Sequence, residues 1–589
     1  MSKPTIKRKN ISALCIVLFS SVAGLWSNAA LGQATPHYNV LFIAVDDMNN
    51  RASVFGFPTV LTPNLQRLRK RGTVFTNAYC QFPMCNPSRT SLLSGWRPDK
   101  TGVYNNDTRP RSVMGPDVKF LPEYFKMYGY HTERVGKILH GDFENDIAWD
   151  YSDSLYIGEL RYDEGSQSLT GKKDGGGSWW VTSSPDDSTA NGVLVRRMLG
   201  RMRLNPPQPF FMALGLTVHN PFTPSISYWN VYGDHAAPQL LPVNRQGQKN
   251  GLSGNGSSNI VLPATPAGDR SDVPPVAFPS QVLKSTTEWQ NTVHAYYAEV
   301  TGMDKQLGLI FDELERKGLW DSTVIVFWSD HGQHLGEHEG TWLKNTLFEE
   351  SAKAPLIVCV PGKRPAVSKA LVEMVDIYPS MAAICGLPAP AGMEGTSFLP
   401  LLDNPARPWK RAAFTQVQRY NNPPVNEYGL VTSQYRYNSW GKDGEELYDH
   451  KTDPFEYVNQ VLNPAYATIL SNMRKLMAGG WTRVLPPADP VAINAVTTTN
   501  DALQKTGELK VYPNPSKGEK IFVELQSEYN ESVHIVVHNS AGKIVQQMTN
   551  FLHTGNNILS FSAAERAAGV YTIAIKGKQL SATSLFVLQ

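Results

Sequence analysis

The chain has 589 residues, of which 41% are hydrophobic and 18% are charged, and its formal net charge is +3. This length exceeds that of one ordinary domain and is enough to bury a large core. The composition describes a globular protein, and the small net charge excludes a broad basic surface, so no nucleic-acid partner is expected.

The first 32 residues have the pattern of an export signal. Basic residues at positions 3–9 precede an apolar run over 11–25, and Ala30-Leu31-Gly32 forms a small-residue cleavage site. Because the apolar run is too short and too poorly flanked for a membrane span, we predict a signal peptide over 1–32 rather than an uncleaved anchor. Four of the five cysteines follow this segment, too few to suggest a disulfide framework in an exported chain.

Short apolar strands alternate with amphipathic helices after this segment, which predicts an α/β sheet. One helix is expected to begin with Thr62 as N-cap and Pro63 as first residue, and to close at Gly72. A second helix has its apolar residues spaced along one face and Gly318 just past its end. The strands read as buried apolar runs over 39–45, 210–217 and 324–328.

Polar residues directly follow each of these three strands. Asp46 and Asp47 come after the first strand, His219 after the second, and Asp330 with His331 after the third. Ligands bind at the carboxyl ends of strands in open α/β sheets, so we expect these side chains to meet at one edge. Two adjacent carboxylates are unfavourable unless a cation holds them, and oxygen-rich ligation favours Ca²⁺, with Mg²⁺ as the alternative. We therefore predict a metal site formed by Asp46, Asp47, Asp330 and His331.

Cys85 lies in the run Met84-Cys-Asn-Pro-Ser-Arg-Thr90. A free cysteine is most often a small buried hydrophobe, and that is the alternative to a chemical role. The Cys-x-Pro-Ser-Arg pattern resembles the maturation motif of the type I sulfatases, whose maturation enzymes oxidise the cysteine to formylglycine. The resemblance implies that one hydroxyl of the hydrated aldehyde attacks sulfur and that the second allows sulfate to be expelled. It also implies that Arg89 pairs with residue 85 and with the metal-binding carboxylates.

Two further segments carry the same resemblance, which extends over residues 36–485. Lys137 and His140 stand in the family's Gly-Lys-x-x-His segment. The match implies that this lysine binds a sulfate oxygen, and that this histidine bonds the diol and takes its proton. His219 stands in a segment that resembles the family's His-x-Pro segment, which implies that its ring protonates the departing alcohol.

The span that ends at Lys344 resembles the iduronate 2-sulfatase-like branch of the family. Asp330 and His331 stand where that branch binds its metal ion, which is also expected to contact the formylglycine derived from Cys85. Lys344 would neutralise sulfate charge. His334, in the same span, is interpreted either as a substrate contact or as a residue that holds the substrate-contacting residues in position.

The resemblance implies the alkaline-phosphatase-like sulfatase fold, an α/β fold with a large mixed sheet flanked by helices and a small C-terminal α+β subdomain. We place the catalytic subdomain at 33–400 and the C-terminal subdomain at 401–486, followed by a linker rich in Ala, Thr, Asn and Pro over 487–507. Stretches rich in Gly, Ser, Pro and Asp over 165–190 and 235–280 are predicted to be loops that shape substrate access.

Residues 508–589 are predicted to form a C-terminal all-β sandwich domain. Short alternating strands are separated by turn signals at 541–542 and 555–556. The segments Lys510-Val-Tyr-Pro-Asn-Pro515 and Gly569-Val-Tyr571 resemble the C-terminal sorting domain of the type IX secretion system. A sandwich that binds carbohydrate is the alternative.

Together these patterns predict a secreted sulfatase that hydrolyses sulfate esters of a sulfated polysaccharide or its oligosaccharides, with formylglycine at position 85 and one Ca²⁺. The branch suggests a 2-O-sulfated uronic acid in an algal glycan such as ulvan. The expected partners are the glycan, a formylglycine-generating or sulfatase-maturating enzyme, and the type IX machinery, with export through the periplasm to the cell surface or medium. Two alternatives stay open: a phosphoesterase or phosphonate hydrolase of the same superfamily, and a catalytically inactive surface carbohydrate-binding protein.

Overall fold

The computed structural model describes two compact units, within residues 1–487 and 488–589. The predicted signal peptide and nearly all of the predicted linker lie outside the residues that it describes. Those residues are 38–153, 168–172, 179–232, 260, 262–278, 286–388, 390–419, 424–487, 505–506, 509–514, 516, 520–527, 529–539, 544–562, 569–577 and 580–588.

An eight-stranded mixed sheet is the frame of the first unit. The strands of this unit are β1 (Asn39–Asp46), β2 (Thr73–Tyr79), β3 (His131–Gly136), β4 (Tyr151–Ser152), β5 (Ser168–Lys172), β6 (Trp179–Thr182), β7 (Phe210–Thr217), β8 (Thr323–Ser329), β9 (His334–Leu335), β10 (Trp342–Leu343), β11 (Leu356–Cys359), β12 (Ala366–Glu373), β13 (Ala413–Arg419), β14 (Val425–Val431), β15 (Tyr435–Ser439) and β16 (Glu445–Asp449). The large sheet has the order β12-β2-β11-β8-β1-β7-β3-β4. Only β11 is antiparallel to its neighbours in this order.

The central strands are continuous apolar runs because both faces of the sheet are covered. Every residue of β1, β7 and β8 is buried. Alternate side chains of β1 enter different cores: Leu41 and Ile43 pack on one face, and Val40 and Phe42 pack on the other. The predicted α/β class with a large mixed sheet is confirmed.

Five parallel strands bring polar residues to the same edge of this sheet. In the register of the three central strands, Val45 lies opposite Ser329 and Asp46 lies opposite Thr217, so the residues that follow emerge side by side. Strand β3 runs parallel to β7 and ends at Gly136. Strands β2 and β8 are both antiparallel to β11, so β2 also points towards this edge.

Helices cover both faces of the sheet. They are α1 (Pro63–Arg69), α2 (Cys85–Ser94), α3 (Pro98–Thr101), α4 (Pro110–Met114), α5 (Leu121–Met127), α6 (Ala190–Arg203), α7 (Ile226–Tyr232), α8 (Thr286–Arg316), α9 (Glu349–Ala352), α10 (Ile377–Ile384), α11 (Leu399–Asp403) and α12 (Ala467–Gly479). The long helix α8 packs against α1, α6 and α7, and α10 packs against α2. Gly318 lies just past the end of α8 with φ +64°, as predicted for a helix C-terminus.

The start of α1 differs from the prediction in the group that caps it. Thr62 is the N-cap residue, but its hydroxyl bonds Ser53 Oγ at 2.9 Å and makes no capping bond. The carboxylate of Asp304 on α8 accepts instead from the N–H groups of Asn64 and Leu65, at 2.9 and 2.7 Å. A tertiary contact therefore satisfies the first turn of this helix.

The predicted end of α1 at Gly72 is wrong, because the helix ends at Arg69. Gly72 immediately precedes β2, beside the antiparallel strand β11. A Cβ atom there would lie 2.4 Å from Cys359 Sγ and 2.6 Å from the carbonyl oxygen of Val358. The glycine thus permits a close approach of two strands and does not cap a helix.

The C-terminal part of the first unit is a four-stranded antiparallel sheet in the order β13-β14-β15-β16. Helix α12 packs on it, and Leu430, Leu447, Leu470 and Met473 lie in their shared core. This arrangement matches the small α+β region that the resemblance implied.

One of the two predicted loops contains a β-hairpin. Strands β5 and β6 pair with each other inside the stretch 165–190, so this stretch is not a loop throughout, and its role in substrate access stays a prediction. The run Trp179-Trp-Val-Thr182 has high strand propensity, which the surrounding Gly and Ser residues obscured. Most of the other predicted loop, 235–280, lies outside the part of the chain that the structure describes, including all of 235–259.

The second unit is a two-sheet β-sandwich, as predicted. Its strands are β17 (Lys505–Thr506), β18 (Leu509–Tyr512), β19 (Lys520–Ser527), β20 (Glu531–Asn539), β21 (Ile544–Leu552), β22 (Gly555–Ser562), β23 (Gly569–Lys576) and β24 (Leu580–Leu588). The sheets β17-β24-β23-β20-β21 and β18-β19-β22 enclose one core, to which Val523 and Ile573 contribute from opposite sheets. Gly555 begins β22, so the turn expected at 555–556 lies just before it, and 541–542 is outside the described residues.

Candidate active site

Cys85 is the first residue of α2 and lies at the carboxyl edge of the large sheet. After β2 ends at Tyr79, the chain reaches Met84, whose extended backbone makes it the N-cap residue of α2. Every residue of α2 is buried, and Cys85 itself is 1% exposed. The amino end of a helix favours negative charge, so this position suits a reaction on an anionic group.

Arg89 lies one turn along α2 and ties three strand ends to the helix. Its Nε donates to Asp330 Oδ2 at 2.8 Å, and its Nη2 donates to Asp46 Oδ1 at 3.1 Å. Its Nη1 donates to the carbonyl oxygens of Lys137 and Ile138 at 2.9 and 3.0 Å. All three nitrogens of this rigid fork are used, which fixes the ends of β1, β3 and β8 around Cys85.

Asp47, Asp330 and His331 converge on the sulfur of Cys85. His331 Nε2 lies 3.5 Å from Cys85 Sγ, 3.6 Å from Asp47 Oδ1 and 3.5 Å from Asp330 Oδ2. Asp47 Oδ1 lies 3.9 Å from Cys85 Sγ. One ligand atom from each of these four residues lies within 4.8 Å of the others. The spacing is that of a cluster able to surround a single ion.

This cluster fits a hard divalent cation such as Ca²⁺. Asp47 Oδ2 is buried and accepts no hydrogen bond from the described residues. His331 Nδ1 lies 2.9 Å from the carbonyl oxygen of Gly332. Because a carbonyl can only accept, Nδ1 carries the proton and the Nε2 lone pair faces the carboxylates. Asp46 stands beside the cluster, in a neighbouring group with Asp47 and His219.

Two lysines lie at the cluster, each with a side chain that is 13% exposed. Lys137 Nζ donates to the two carboxylate oxygens of Asp46 at 2.8 and 2.9 Å. Lys344 Nζ bonds Asp47 and lies 3.4 Å from Cys85 Sγ. With Arg89, these cations balance the three carboxylates, so a divalent ion would leave the site positive and ready for a sulfate ester.

Burial and charge set the protonation states at the centre of the site. Burial would raise the pKa of Asp47, but the His219 ring and the Lys344 ammonium lower it to about 2. Burial, with the charge of Asp46, raises the pKa of the Cys85 thiol to about 12. The thiol is therefore protonated at neutral pH, and as a thiol it is a weak nucleophile.

Two histidines flank the cluster. His219 Nε2 lies 3.5 Å from Asp47 Oδ2, and its Nδ1 bonds the carbonyl oxygen of Asn220. Burial, together with the charge of Lys137, lowers the pKa of His140 to about 3. The His140 ring is therefore uncharged at neutral pH.

Two residues that the sequence analysis did not single out support the loops of this site. Glu144 Oε1 accepts from the N–H group of Ile138 and, at 2.7 Å, from that of Leu139. The Tyr296 hydroxyl on α8 donates to the carbonyl oxygen of Asp47 at 3.2 Å. Asp47 has a left-handed backbone, with φ +63°, and needs such support. No local sequence pattern predicts either contact.

Glu144→Ala is expected to lower kcat by about 10- to 100-fold, because without the carboxylate the turn that carries Lys137 and His140 can move. Burial raises the pKa of Glu144, so Glu144→Gln is a close mimic that keeps an acceptor oxygen in place and should retain most activity. The measurement is kcat and KM for 4-nitrocatechol sulfate, with the melting temperature of each variant. An equal kcat loss in both variants would contradict a positioning role.

His334 is 0% exposed, and its Nε2 bonds Thr346 Oγ1 at 2.7 Å. Its ring packs edge-on against Phe348. Of the two roles considered for His334, a substrate contact and a supporting position, this burial favours the second. The structure brings the other candidate residues together at one edge of the sheet: Asp46, Asp47, Cys85, Arg89, Lys137, His140, His219, Asp330, His331 and Lys344.

Comparison with protein families decides the class of this site. The family profile described as Sulfatase matches residues 38–387, more than half of the chain. The chain belongs to the sulfatase family. The profile for the C-terminal region of N-sulphoglucosamine sulphohydrolase matches 336–480, and that for a secretion system C-terminal sorting domain matches 510–589. The resemblance seen at Cys85, and that to a type IX sorting tail, are confirmed.

Several named proteins are similar to this sulfatase over most of their length. A protein named sulfatase from Formosa agariphila is 31% identical over 475 residues, which cover 74% of this chain and 86% of that protein. Iduronate 2-sulfatase of Homo sapiens is 27% identical over 505 residues, with 74% and 86% covered. An ulvan-active sulfatase of Formosa agariphila is 26% identical over 456 residues, with 74% and 79% covered. This sulfatase is accordingly a sulfuric ester hydrolase.

Solved structures support the fold. The phosphonate monoester hydrolase of Silicibacter pomeroyi has a TM-score of 0.62 at 18% identity, covering 76% of this sulfatase and 96% of that chain. A 2-O GAG sulfatase has a TM-score of 0.57 at 21% identity, covering 78% and 96%. At these identities the likeness concerns the fold alone, and the predicted alkaline-phosphatase-like sulfatase fold is confirmed.

Proposed function

We propose that this sulfatase is exported and removes sulfate ester groups from a sulfated polysaccharide or its oligosaccharides, with residue 85 as formylglycine and one bound Ca²⁺. The surroundings of Cys85 carry the proposal. The cysteine of a Cys-x-Pro-Ser-Arg motif lies at a helix amino end, with Lys344 Nζ at 3.4 Å and His331 Nε2 at 3.5 Å. A cysteine with a purely structural role is ordinarily packed among apolar side chains.

Asp46, Asp47, Asp330 and His331 would hold the Ca²⁺, which supplies positive charge that polarises the sulfate group. Oxidised and hydrated, residue 85 supplies one hydroxyl to attack sulfur and a second whose deprotonation expels sulfate and restores the aldehyde. Each of the four ligands is anchored by a contact described above, so the site is organised before substrate arrives.

The lysines and histidines would bind the sulfate group and move protons. Lys137 Nζ and Lys344 Nζ bind sulfate oxygens and offset the negative charge that grows on them in the transition state. His219, whose Nδ1 is held by the carbonyl of Asn220, presents Nε2 to the oxygen of the departing alcohol and protonates it. His140 accepts the proton of the remaining hydroxyl when sulfate leaves.

The proposed substrate is a 2-O-sulfated uronic acid in an algal glycan such as ulvan. Two similar proteins, named iduronate 2-sulfatase and ulvan-active sulfatase, support this choice. The test is inorganic sulfate release by the matured protein, with formylglycine at position 85 verified by peptide mass. The panel contains 2-O-, 3-O-, 4-O- and 6-O-sulfated oligosaccharides from ulvan, heparin, chondroitin, carrageenan and fucoidan, with phosphate and phosphonate monoesters as controls.

Release from a 2-O-sulfated uronic acid establishes the proposed substrate. Release from a different sulfated glycan supports a glycan sulfatase, names its linkage and contradicts the proposed sugar. Release of phosphate or phosphonate with no sulfate from any glycan would contradict the proposed function and support the phosphonate hydrolase alternative. Binding of a glycan without hydrolysis by protein that carries formylglycine would support the inactive binding protein.

Removal of Ca²⁺ with EGTA is expected to abolish activity and lower the melting temperature, and added Ca²⁺ should restore both. An ion at one hundred times its dissociation constant stabilises the folded state by about 2.7 kcal/mol, which corresponds to a shift of several degrees. Asp47→Asn removes one ligand charge and should lose the Ca²⁺-dependent shift while still folding. A wild-type melting temperature that does not respond to EGTA or Ca²⁺ would argue against the ion.

The C-terminal sorting domain supports the proposal of export to the cell surface or medium. No helix in the described parts of the chain is long and apolar enough to cross a membrane. Deletion of 508–589 should leave kcat unchanged and retain the protein in the periplasm, because this unit has its own core. Activity assays and cell fractionation check this, and loss of catalysis on deletion would mean that the domain contributes to the enzyme.

A further inference from the structure

A cavity of about 200 Å³ lies in the first unit, apart from the residues that surround Cys85. It opens between the segment after α2 and the four-stranded C-terminal sheet. The side chains that matter here are those of Arg97, Asp99, Phe414, Gln416, Tyr428 and Trp481. None of them belongs to the proposed catalytic machinery.

The polar groups of this cavity surround one exposed carboxylate. Asp99 accepts from Gln416 Nε2 at 3.0 Å, from the Tyr428 hydroxyl at 3.1 Å and from Asn426 Nδ2 at 3.3 Å. The Trp481 ring lines the same cavity, with the Arg97 guanidinium over one of its faces at 5.0 Å from the ring centroid. A carboxylate, an amide and a phenol around an aromatic wall can bond adjacent hydroxyls while the ring covers an apolar C–H face. That combination suits a sugar ring.

Strand β13 leads from the cavity towards the catalytic centre. Gln416 lies opposite Tyr428, and Gln418 lies opposite Asn426, on one face of the β13–β14 pair. The next residue, Arg419, lies on the opposite face of this strand and donates to the carbonyl oxygen of Asn345, immediately after Lys344. From Gln416 to Arg419 the strand advances about 10 Å.

A second path joins the cavity to residue 85. The Tyr104 hydroxyl lies 3.5 Å from Asp99 Oδ1. Two residues later, Asn106 Oδ1 accepts from the N–H group of Asn86 at 3.1 Å, next to Cys85. Two chain segments therefore connect the cavity with residues adjacent to Lys344 and Cys85, within the same unit.

Charge restricts which sugar can occupy this cavity. The one cationic side chain among its lining residues, Arg97, has its Nη atoms engaged by Glu373 at 2.8 and 2.6 Å. The carboxylate of Asp99 is exposed and would repel a second sulfate or a uronic acid carboxylate. The cavity therefore suits an uncharged sugar and disfavours another anionic one.

We propose that this cavity is a subsite for an uncharged sugar residue adjacent to the sulfated one in the same glycan. The inference rests on the proposed function, because it extends the substrate from one sulfated sugar to a short oligosaccharide. The subsite makes the enzyme prefer a neutral neighbour and bind an oligosaccharide more tightly than a monosaccharide.

The test is steady-state kinetics of the full matured chain on 4-nitrocatechol sulfate and on sulfated ulvan tetrasaccharides. Asp99→Asn and Tyr428→Phe should raise KM for the tetrasaccharides by about five- to tenfold, the effect of one lost hydrogen bond, with kcat unchanged. Both constants for the aryl sulfate, which is too small to reach the cavity, should stay at wild-type values.

Tyr435→Phe is the matched control, because this hydroxyl bonds Gln434 Nε2 at 3.0 Å in the same sheet and does not line the cavity. It should leave both substrates unaffected. Unchanged tetrasaccharide KM in both cavity variants overturns the inference. An equal loss of kcat/KM on the two substrates also overturns the inference, because it would show that Asp99 and Tyr428 only stabilise the fold.

A binding measurement separates this inference from the proposed function. Unmatured protein, with Cys85 intact, is titrated with desulfated ulvan tetrasaccharide and followed by saturation-transfer NMR. Binding by wild type that is lost in Asp99→Asn supports the subsite even where no glycan releases sulfate. Absence of binding by wild type overturns the subsite even where the enzyme is an active glycan sulfatase.

Discussion

A Cys85→Ser variant is expected to release at most one sulfate per chain and then stop, whereas the matured wild type turns over continuously. A serine hydroxyl can attack sulfur but lacks the second hydroxyl needed to expel sulfate. Steady-state sulfate release should therefore fall by about 10³-fold or more, the scale of loss when an enzyme loses its nucleophile. The measurement is sulfate release with enzyme in excess and then with substrate in excess, followed by intact mass.

Cys80→Ser is the matched control for this experiment. Cys80 is also fully buried, but it precedes the motif, and its Sγ lies 3.9 Å from the carbonyl oxygen of Ser351. This variant should mature normally and keep kcat close to wild type. Continuous turnover by Cys85→Ser at a wild-type rate would falsify the formylglycine mechanism.

Arg89→Met should lower the free energy of unfolding by about 3–5 kcal/mol in protein without added metal, the cost of removing one partner from buried ion pairs. The Arg89 side chain is 0% exposed and pairs with Asp46 and Asp330. Methionine roughly fills the space of the side chain but leaves both carboxylates without this cation. Denaturant unfolding measures the loss, which should shrink when Ca²⁺ neutralises the same carboxylates.

Arg67→Met serves as the control for Arg89→Met. Arg67 also pairs with two carboxylates, but Asp312 and Glu315 are 66% and 61% exposed, so water screens the pairs. The free energy of unfolding of Arg67→Met is expected to fall by no more than about 1 kcal/mol. The role assigned to Arg89 is contradicted if its variant loses no more stability than this one.

The strands that carry the site were predictable because burial on both faces dictates their composition. The predicted strand over 210–217 coincides with Phe210–Thr217. The predicted strand 39–45 ends one residue before β1 does, and the predicted strand 324–328 is one residue short at each end of β8. Given parallel strands, polar residues just after them must share an edge. The convergence at that edge therefore followed from the sequence.

The supports between distant elements were not predictable. Tyr296 and Asp304 each bond backbone groups of another segment, and no local spacing specifies such a partner. Asp304 caps Asn64 from 240 residues away, whereas Thr62 has the sequence of a capping residue and bonds elsewhere. Backbone groups must find a partner, but which side chain supplies it depends on the completed tertiary structure.

The burial of α2 limits the stage of folding at which Cys85 could be oxidised to formylglycine under the proposed mechanism. In the folded enzyme Pro87 is enclosed with the rest of the helix, and Arg89 is held by four partners, so the motif cannot be read as an extended peptide. Under the proposed mechanism, an enzyme that oxidises Cys85 would have to meet the chain before α2 docks on the sheet. Under that mechanism folding and oxidation would compete in time, and a host that folds this chain faster than it oxidises it would yield folded but inactive protein.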